Sequence, residues 1–144
     1  MKWGEITWIF LHTLSVQIPE EVYPSLKNSL FQQVKNLCSC LPCPDCASHA
    51  TQYLAKMRVP ETKGDFIKML VVFHNTINQK NKKPIFLLPE IKKYNGVNLS
   101  LVFRICKHII THQPYNPRII MNKIRTNQCL QDLQIWLKNN HLIQ

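Results

Sequence analysis

Apolar residues return every three or four positions along most of this chain, the spacing of amphipathic helices. From Trp3 to Gln17, Ile6, Ile9, Phe10 and Thr13 share one face while Trp8, His12 and Ser15 fall on another. So few strongly polar residues remain there that this first helix is expected to be nearly enclosed, with Pro19 ending it. Pro24 sits at a helix start, and Leu26, Leu30, Val34, Leu37 and Leu41 carry a second helix forward. A third begins at Cys43 or Pro44, offers Ala47, Ala50, Tyr53, Leu54 and Met57, and is closed by Val59-Pro60. Asp65 reads as the N-cap of a fourth, whose stripe is Phe66, Leu70, Phe73 and Ile77. His74, Asn78 and Asn81 run beside that stripe, and Pro84 stops the helix. Residues 97–112 suit another helix. Pro114 and Pro117 break the chain, and residues 118–141 are expected to form one or two short helices packed through Ile120, Ile124, Leu130, Leu133 and Leu137. No strand-like alternation competes. The expected fold is all-α: a four-helix bundle over residues 1–112, with 113–144 as a helical extension of the same domain.

Composition narrows the function. A chain of 144 residues is long enough to bury one real core. Its net charge of +10 comes from 18 basic against 8 acidic residues, but the basic positions are spread along the chain. No groove-reading motif accompanies them, so a solvated basic surface is favoured over a nucleic-acid interface. Arg104 and Lys107 interrupt the apolar stretch 99–110, and no membrane span is expected. The N-terminal apolar stretch holds Glu5 and His12 and lacks a small-residue cleavage site, which points to a soluble intracellular setting.

Four of the six cysteines, Cys38, Cys40, Cys43 and Cys46, crowd into one short stretch, unlike the dispersed framework of a secreted scaffold. Three chemistries fit them. With His49 they make a legitimate zinc ligand set. Cys40-x-x-Cys43-x-x-Cys46 repeats a ferredoxin spacing. Cys43-Pro-Asp-Cys46 at a helix start is a redox pair, because amide dipoles there lower a thiol pKa from ~8.5 towards ~3.5–7.5. Thioredoxin-type centres of this spacing sit on a βαβ pattern, which is missing here. Local sequence leaves the three readings open. In the distance, Trp8 and His12 lie one turn apart on the first helix, and His74 and Asn78 one turn apart on the fourth. Polar and aromatic groups flanking core faces are how a bundle lines a cofactor site.

Taken together, three motifs resemble the Erv/ALR family of flavin-linked sulfhydryl oxidases over roughly residues 3–94. They are Trp3-Gly4-x-x-x-Trp8-x-x-Leu11-His12, then Leu41-Pro42-Cys43-x-x-Cys46, then His74-Asn75-x-Ile77-Asn78 followed by Lys83-Pro84-x-Phe86. The form Leu-Pro-Cys-Pro-x-Cys-x-x-His-Ala looks particularly like members encoded by large DNA viruses, including poxviruses. The resemblance implies a helical bundle enclosing FAD, a homodimer, and oxidation of protein dithiols with molecular oxygen as acceptor and hydrogen peroxide as product. It makes Cys43 the interchange cysteine and Cys46 the flavin-proximal cysteine, a charge-transfer thiolate. It places Gly4, Trp8, His12, His49, His74, Asn75, Asn78, Lys83 and Tyr94, with Lys93 as a substitute for Tyr94, around the FAD. A viral source would put the activity in host cytoplasm and virion. The alternative is a zinc- or iron–sulfur-binding interaction module whose charge serves nucleic acid.

The chain departs from the pattern in places. Glu5 stands where many members have arginine, and Val16 and Gln17 stand where a tyrosine is expected. The family's structural disulfide falls on Val71 and Leu88, read here as joint replacement by packing. Cys106 reads as an inert buried thiol. Cys129 lies beyond the resemblance, as an idle thiol, an electron relay or a cross-link between chains.

Overall fold

In a computed structural model, which describes residues 1–114 and 120–144, the chain is all-α. The helices are α1 (Trp3–Gln17), α2 (Tyr23–Ser39), α3 (Pro44–Ala55), α4 (Lys63–Lys80), a 3₁₀ helix (Leu88–Tyr94), α5 (Leu99–Thr111) and α6 (Ile120–Asn139), with no strand among the described residues. The break expected at Pro117 and the packing of Ile120 lie outside what is described.

The enclosure expected of α1 follows from its composition. Ile6, Thr7 and every residue from Phe10 to Ser15 are buried as it packs against α4, α5 and the 3₁₀ helix. Phe10 meets Phe103 of α5 with ring centroids 5.4 Å apart. Burial of each such Leu, Ile or Phe contributes about 1.5–3 kcal/mol, so the helix that carries Trp8 and His12 is fixed by its own core face.

Several boundaries differ from expectation, each for a local reason. Thr62, not Asp65, caps α4: its Oγ1 accepts the Asp65 N–H at 3.1 Å, leaving Asp65 in the first turn. Helix α3 stops at Ala55, short of Val59-Pro60. Helix α4 stops at Lys80, and Lys82 at φ 55° turns the chain before Pro84 is reached. Residues 120–139 form one long helix, where one or two short ones were expected. Leu130, Leu133 and Leu137 are buried along one face, against α2 and α5, and Ile124 stays exposed. Lys107 Nζ donates to Gln134 Oε1 at 2.6 Å, and Trp136 Nε1 to Ser29 Oγ at 3.1 Å. Tertiary contacts of this kind carry a helix across weak formers such as Thr126 and Asn127.

The 3₁₀ helix was not foreseen. Pro89 opens it, and the Glu90 carboxylate accepts the Leu87 N–H at 2.8 Å. Gln17 Nε2 then donates to the carbonyls of Tyr94 (2.9 Å) and Val97, tying this segment to the end of α1. Of the pair at the family's disulfide positions, Val71 is buried but Leu88 is 41% exposed, so packing replaces only one half of that bridge. Cys106 is buried as expected.

Candidate active site

Cys43 is the N-cap of α3, and its Sγ accepts the backbone N–H of Cys46 at 3.2 Å. Pro44 follows at the first helical position, where its missing N–H leaves nothing unsatisfied. Both thiols are half-buried. Cys46 departs from the lowered pKa expected of this motif. Burial, then the hydrogen bond and charge of Cys43, then Asp45, push its thiol up to about 11. A thiolate at Cys46 therefore needs a favourable partner from outside the helix.

Cys46 lines a cavity of about 420 Å³ together with Asp45, Ser48, His49, Gln52 and Lys80. His49 lies one turn after Cys46, and Lys80 Nζ approaches its Nδ1 at 2.5 Å. The lysine in the last turn of α4 thus closes over the helix that carries the cysteines.

A second group of residues gathers between α1 and α4. Trp8 stacks on His74 at 4.2 Å and 11°, and His12 on Phe86 at 4.9 Å and 13°. Tyr94 stacks on His12 at 5.5 Å. His12 Nε2 and His74 Nδ1 are 3.0 Å apart, sharing one hydrogen bond. Burial, then the charge of His74 and Lys93, hold His12 down to about 3; burial, then Lys83 and Lys93, hold His74 down to about 4. Both rings are therefore neutral at physiological pH. His12 Nδ1 is buried without a partner. A ladder of rings joins this group to α3: Tyr53 lies flat on Phe73 at 4.5 Å, and Trp8 meets Phe73 edge-on at 5.3 Å. Of these rings, Trp8, His74 and Phe86 stay half-exposed.

Comparison with known proteins bears on this arrangement. The Erv1 / Alr family model matches residues 5–95. The chain belongs to the Erv1 / Alr family. It is similar to the FAD-linked sulfhydryl oxidase ERV1 of rice, Oryza sativa subsp. japonica, at 30% identity over 84 residues, covering 58% of this chain and 43% of that protein. It is similar to the protein of that description from Arabidopsis thaliana at 32% over 84 residues, covering 58% and 44%. The FAD-linked sulfhydryl oxidase of African swine fever virus matches at 29% over 93 residues, covering 64% of this chain and 78% of the relative. The chain spans less than half the length of the two plant relatives. No solved structure matches significantly.

Within this Erv1 / Alr chain the expected site residues divide. Cys43, Cys46 and His49 come together on α3, and Trp8, His12, His74 and Tyr94 come together around the ring stack. Lys83 is exposed, within electrostatic reach of His74, and Asn78 is buried on α4. Asn75 does different work. Its Nδ2 donates to the Phe86 carbonyl at 2.8 Å and its Oδ1 accepts the Phe86 N–H at 2.7 Å, so its amide clips the segment after α4 onto the helix. Asn75→Ala is expected to cost about 2 kcal/mol by leaving Phe86 backbone groups unpaired, read as a lower denaturation midpoint. Gly4 has open space beside it: a Cβ there meets nothing within 4 Å.

The sequence reading missed Lys80, Phe86 as a ring partner, and Gln17. Lys80 lies six residues after His74, and only the α3–α4 approach gives it meaning. Among the described residues no group of three or more His, Cys, Asp or Glu side chains is placed to hold a metal ion, so nothing in the geometry favours the zinc or iron–sulfur reading.

Proposed function

We propose that this chain is a FAD-dependent thiol oxidase that makes disulfides in protein substrates, passing electrons from a protein dithiol through Cys43 and Cys46 to FAD and on to molecular oxygen. One observation carries the reading: in a chain of this family, the cysteine pair heads a helix and Cys46 opens into a cavity shared with His49 and Lys80.

The residues present fit FAD. Neutral imidazoles, a flat tryptophan face and exposed lysines match a planar, polar-edged ring system with phosphates. His12 Nδ1 is a buried polar atom in want of a partner, and the open space at Gly4 is room that the protein itself does not use. Trp8, His12, His74, Asn78 and Tyr94 would hold the rings, Gly4 would allow close approach, His49 would flank Cys46, and Lys83 would meet phosphate. Asn75 would act by positioning Phe86. FAD, when bound, supplies the two-electron acceptor that reoxidises the cysteine pair and reduces oxygen to hydrogen peroxide.

The chain's own part is thiol–disulfide exchange. A substrate thiolate attacks Sγ of Cys43 in the Cys43–Cys46 disulfide, the S–S bond breaks, and Cys46 leaves as thiolate. The second substrate thiol then loses its proton, attacks the mixed disulfide, and Cys43 leaves. The substrate gives up two electrons and two protons, and the pair takes them. Lys80, beside the Cys46 cavity, supplies positive charge for the departing sulfur.

Gly4→Ala tests the fit. In the apo chain it is expected to be neutral or to stabilise by about 0.5–1 kcal/mol, since alanine suits a helix better than glycine. FAD affinity is expected to fall, read by flavin retention on gel filtration.

A homodimer belongs to the proposal. Val72, Leu101 and Ile105, large apolar side chains left exposed, supply apolar surface for it, and sedimentation velocity reads the outcome. No helix among the described residues is long and apolar enough to cross a membrane. Action in host cytoplasm and virion belongs to the proposal and is compatible with a viral relative. The deciding experiment is a visible spectrum of the chain as isolated, followed by oxygen uptake with dithiothreitol. Flavin absorbance and turnover are expected; a colourless protein holding stoichiometric zinc would overturn the reading.

A further inference from the structure

Four cysteines take no part in the site above, and two of them are inert. Burial pushes the Cys38 and Cys106 thiols up to about 12. Cys40 and Cys129 are different, because separate helices bring them together. Thr126 Oγ1 of α6 donates to the Cys40 carbonyl at 2.9 Å, and Arg125 Nη2 donates to Ser39 Oγ at 3.3 Å. Cys129 lies one turn further along α6 from Thr126, whose hydroxyl holds the Cys40 carbonyl. Arg125 and Thr126 thus clasp the end of α2, and both cysteines are buried.

The surroundings make the two sulfurs unlike. The hydrogen bond from Cys129 holds Cys40 down, against the effect of burial, with help from the Ser39 hydroxyl at 3.5 Å and from Arg125; Cys129 is raised by donating that bond and by its own burial. One sulfur is suited to attack and the other to resolve. A cavity of about 430 Å³, lined by Ser39, Cys40, Leu41, Pro44, Arg125 and Thr126, gives a small molecule a way in.

We propose that Cys40 and Cys129 form a second dithiol–disulfide couple, whose oxidation by a small-molecule disulfide staples α6 covalently to the end of α2. With oxidised glutathione, the Cys40 thiolate attacks one sulfur, a Cys40–glutathione bond forms, and the first glutathione leaves as thiolate. Cys129 gives its proton to solvent and attacks the Cys40 sulfur, and the second glutathione leaves. Two protein thiols lose two electrons and two protons, and one glutathione disulfide becomes two thiols. The new bond closes a loop over most of the chain, which restricts the unfolded ensemble. It also anchors the residue three places before Cys43, so the staple holds the approach to α3.

The test uses the full chain and does not depend on FAD. The protein is equilibrated at graded ratios of oxidised to reduced glutathione, free thiols are trapped by alkylation, and peptides are mapped by mass spectrometry without reduction. A linked peptide containing Cys40 and Cys129 is expected to appear as the buffer becomes oxidising. It is expected to bring a Tm higher by about 10 °C than that of the reduced chain. In Cys129→Ser, the link is expected to be replaced by glutathione held on Cys40. Alkylation of both residues at every ratio would overturn the proposal. So would pairing of Cys40 with Cys38 or Cys43. The wild-type map alone decides, even if the variant does not fold.

Discussion

Cys46→Ala is expected to cut dithiol-dependent oxygen uptake by at least about 10³-fold, as residues acting as a unit do when one is removed, while the flavin spectrum persists. The loss follows from electron counting: without Cys46 there is no Cys43–Cys46 disulfide for a substrate thiolate to attack, so a lone Cys43 thiol takes no electrons from a reduced substrate. Retention of flavin follows from placement, because the ring stack of Trp8, His12, His74 and Phe86 belongs to α1, α4 and the segment beyond. Cys43→Ser is expected to be as inactive, since Cys43 is the N-cap and the more forward sulfur. Stopped-flow and oxygen-electrode measurements check both variants. Turnover retained in Cys46→Ala would sink the proposed mechanism.

Acid is expected to weaken the fold through the histidine pair. Folded His12 and His74 titrate near 3 and 4, against 6.5 for the free side chain. Between about pH 6.5 and pH 4 the unfolded chain binds protons that the folded chain refuses, so stability falls as pH falls. Above that window both states hold neutral rings and the effect vanishes. A buried histidine loses about 1.4 kcal/mol per pH unit, and the half-buried His74 adds less because solvent screens it. About 4–5 kcal/mol in total is the expected drop, from urea melts at successive pH values. His12→Phe keeps a flat ring and removes one titrating group, so its melts should show a visibly shallower slope. Identical slopes in the two proteins would refute the assignment.

The sequence made α1 and α3 legible because their information is local. The stripe through Ile6, Phe10 and Thr13 and the Cys-Pro-Asp-Cys helix start each lie within a few residues. Three-residue ambiguity hid the cap at Thr62: threonine and aspartate are both good caps, and only the Asp65 N–H pointing at Thr62 Oγ1 decides between them. The length of α6 was not legible either, because α2 and α5 hold it together from a distance. In the candidate site, i, i+4 spacing and motif order single out Trp8, His12 and His74. Lys80, Gln17 and the Asn75–Phe86 clip act across turns and between helices, where spacing carries no signal. The Cys40–Cys129 approach spans most of the chain and was beyond any local reading.

The bond between His12 and His74 holds one hydrogen for two neutral rings. If His12 Nε2 donates, the outer nitrogen of His12 is a bare acceptor and that of His74 carries hydrogen; if His74 donates, the two characters swap. The outer nitrogens are therefore always opposite in kind, and a molecule that hydrogen-bonds to one of them dictates what the other presents.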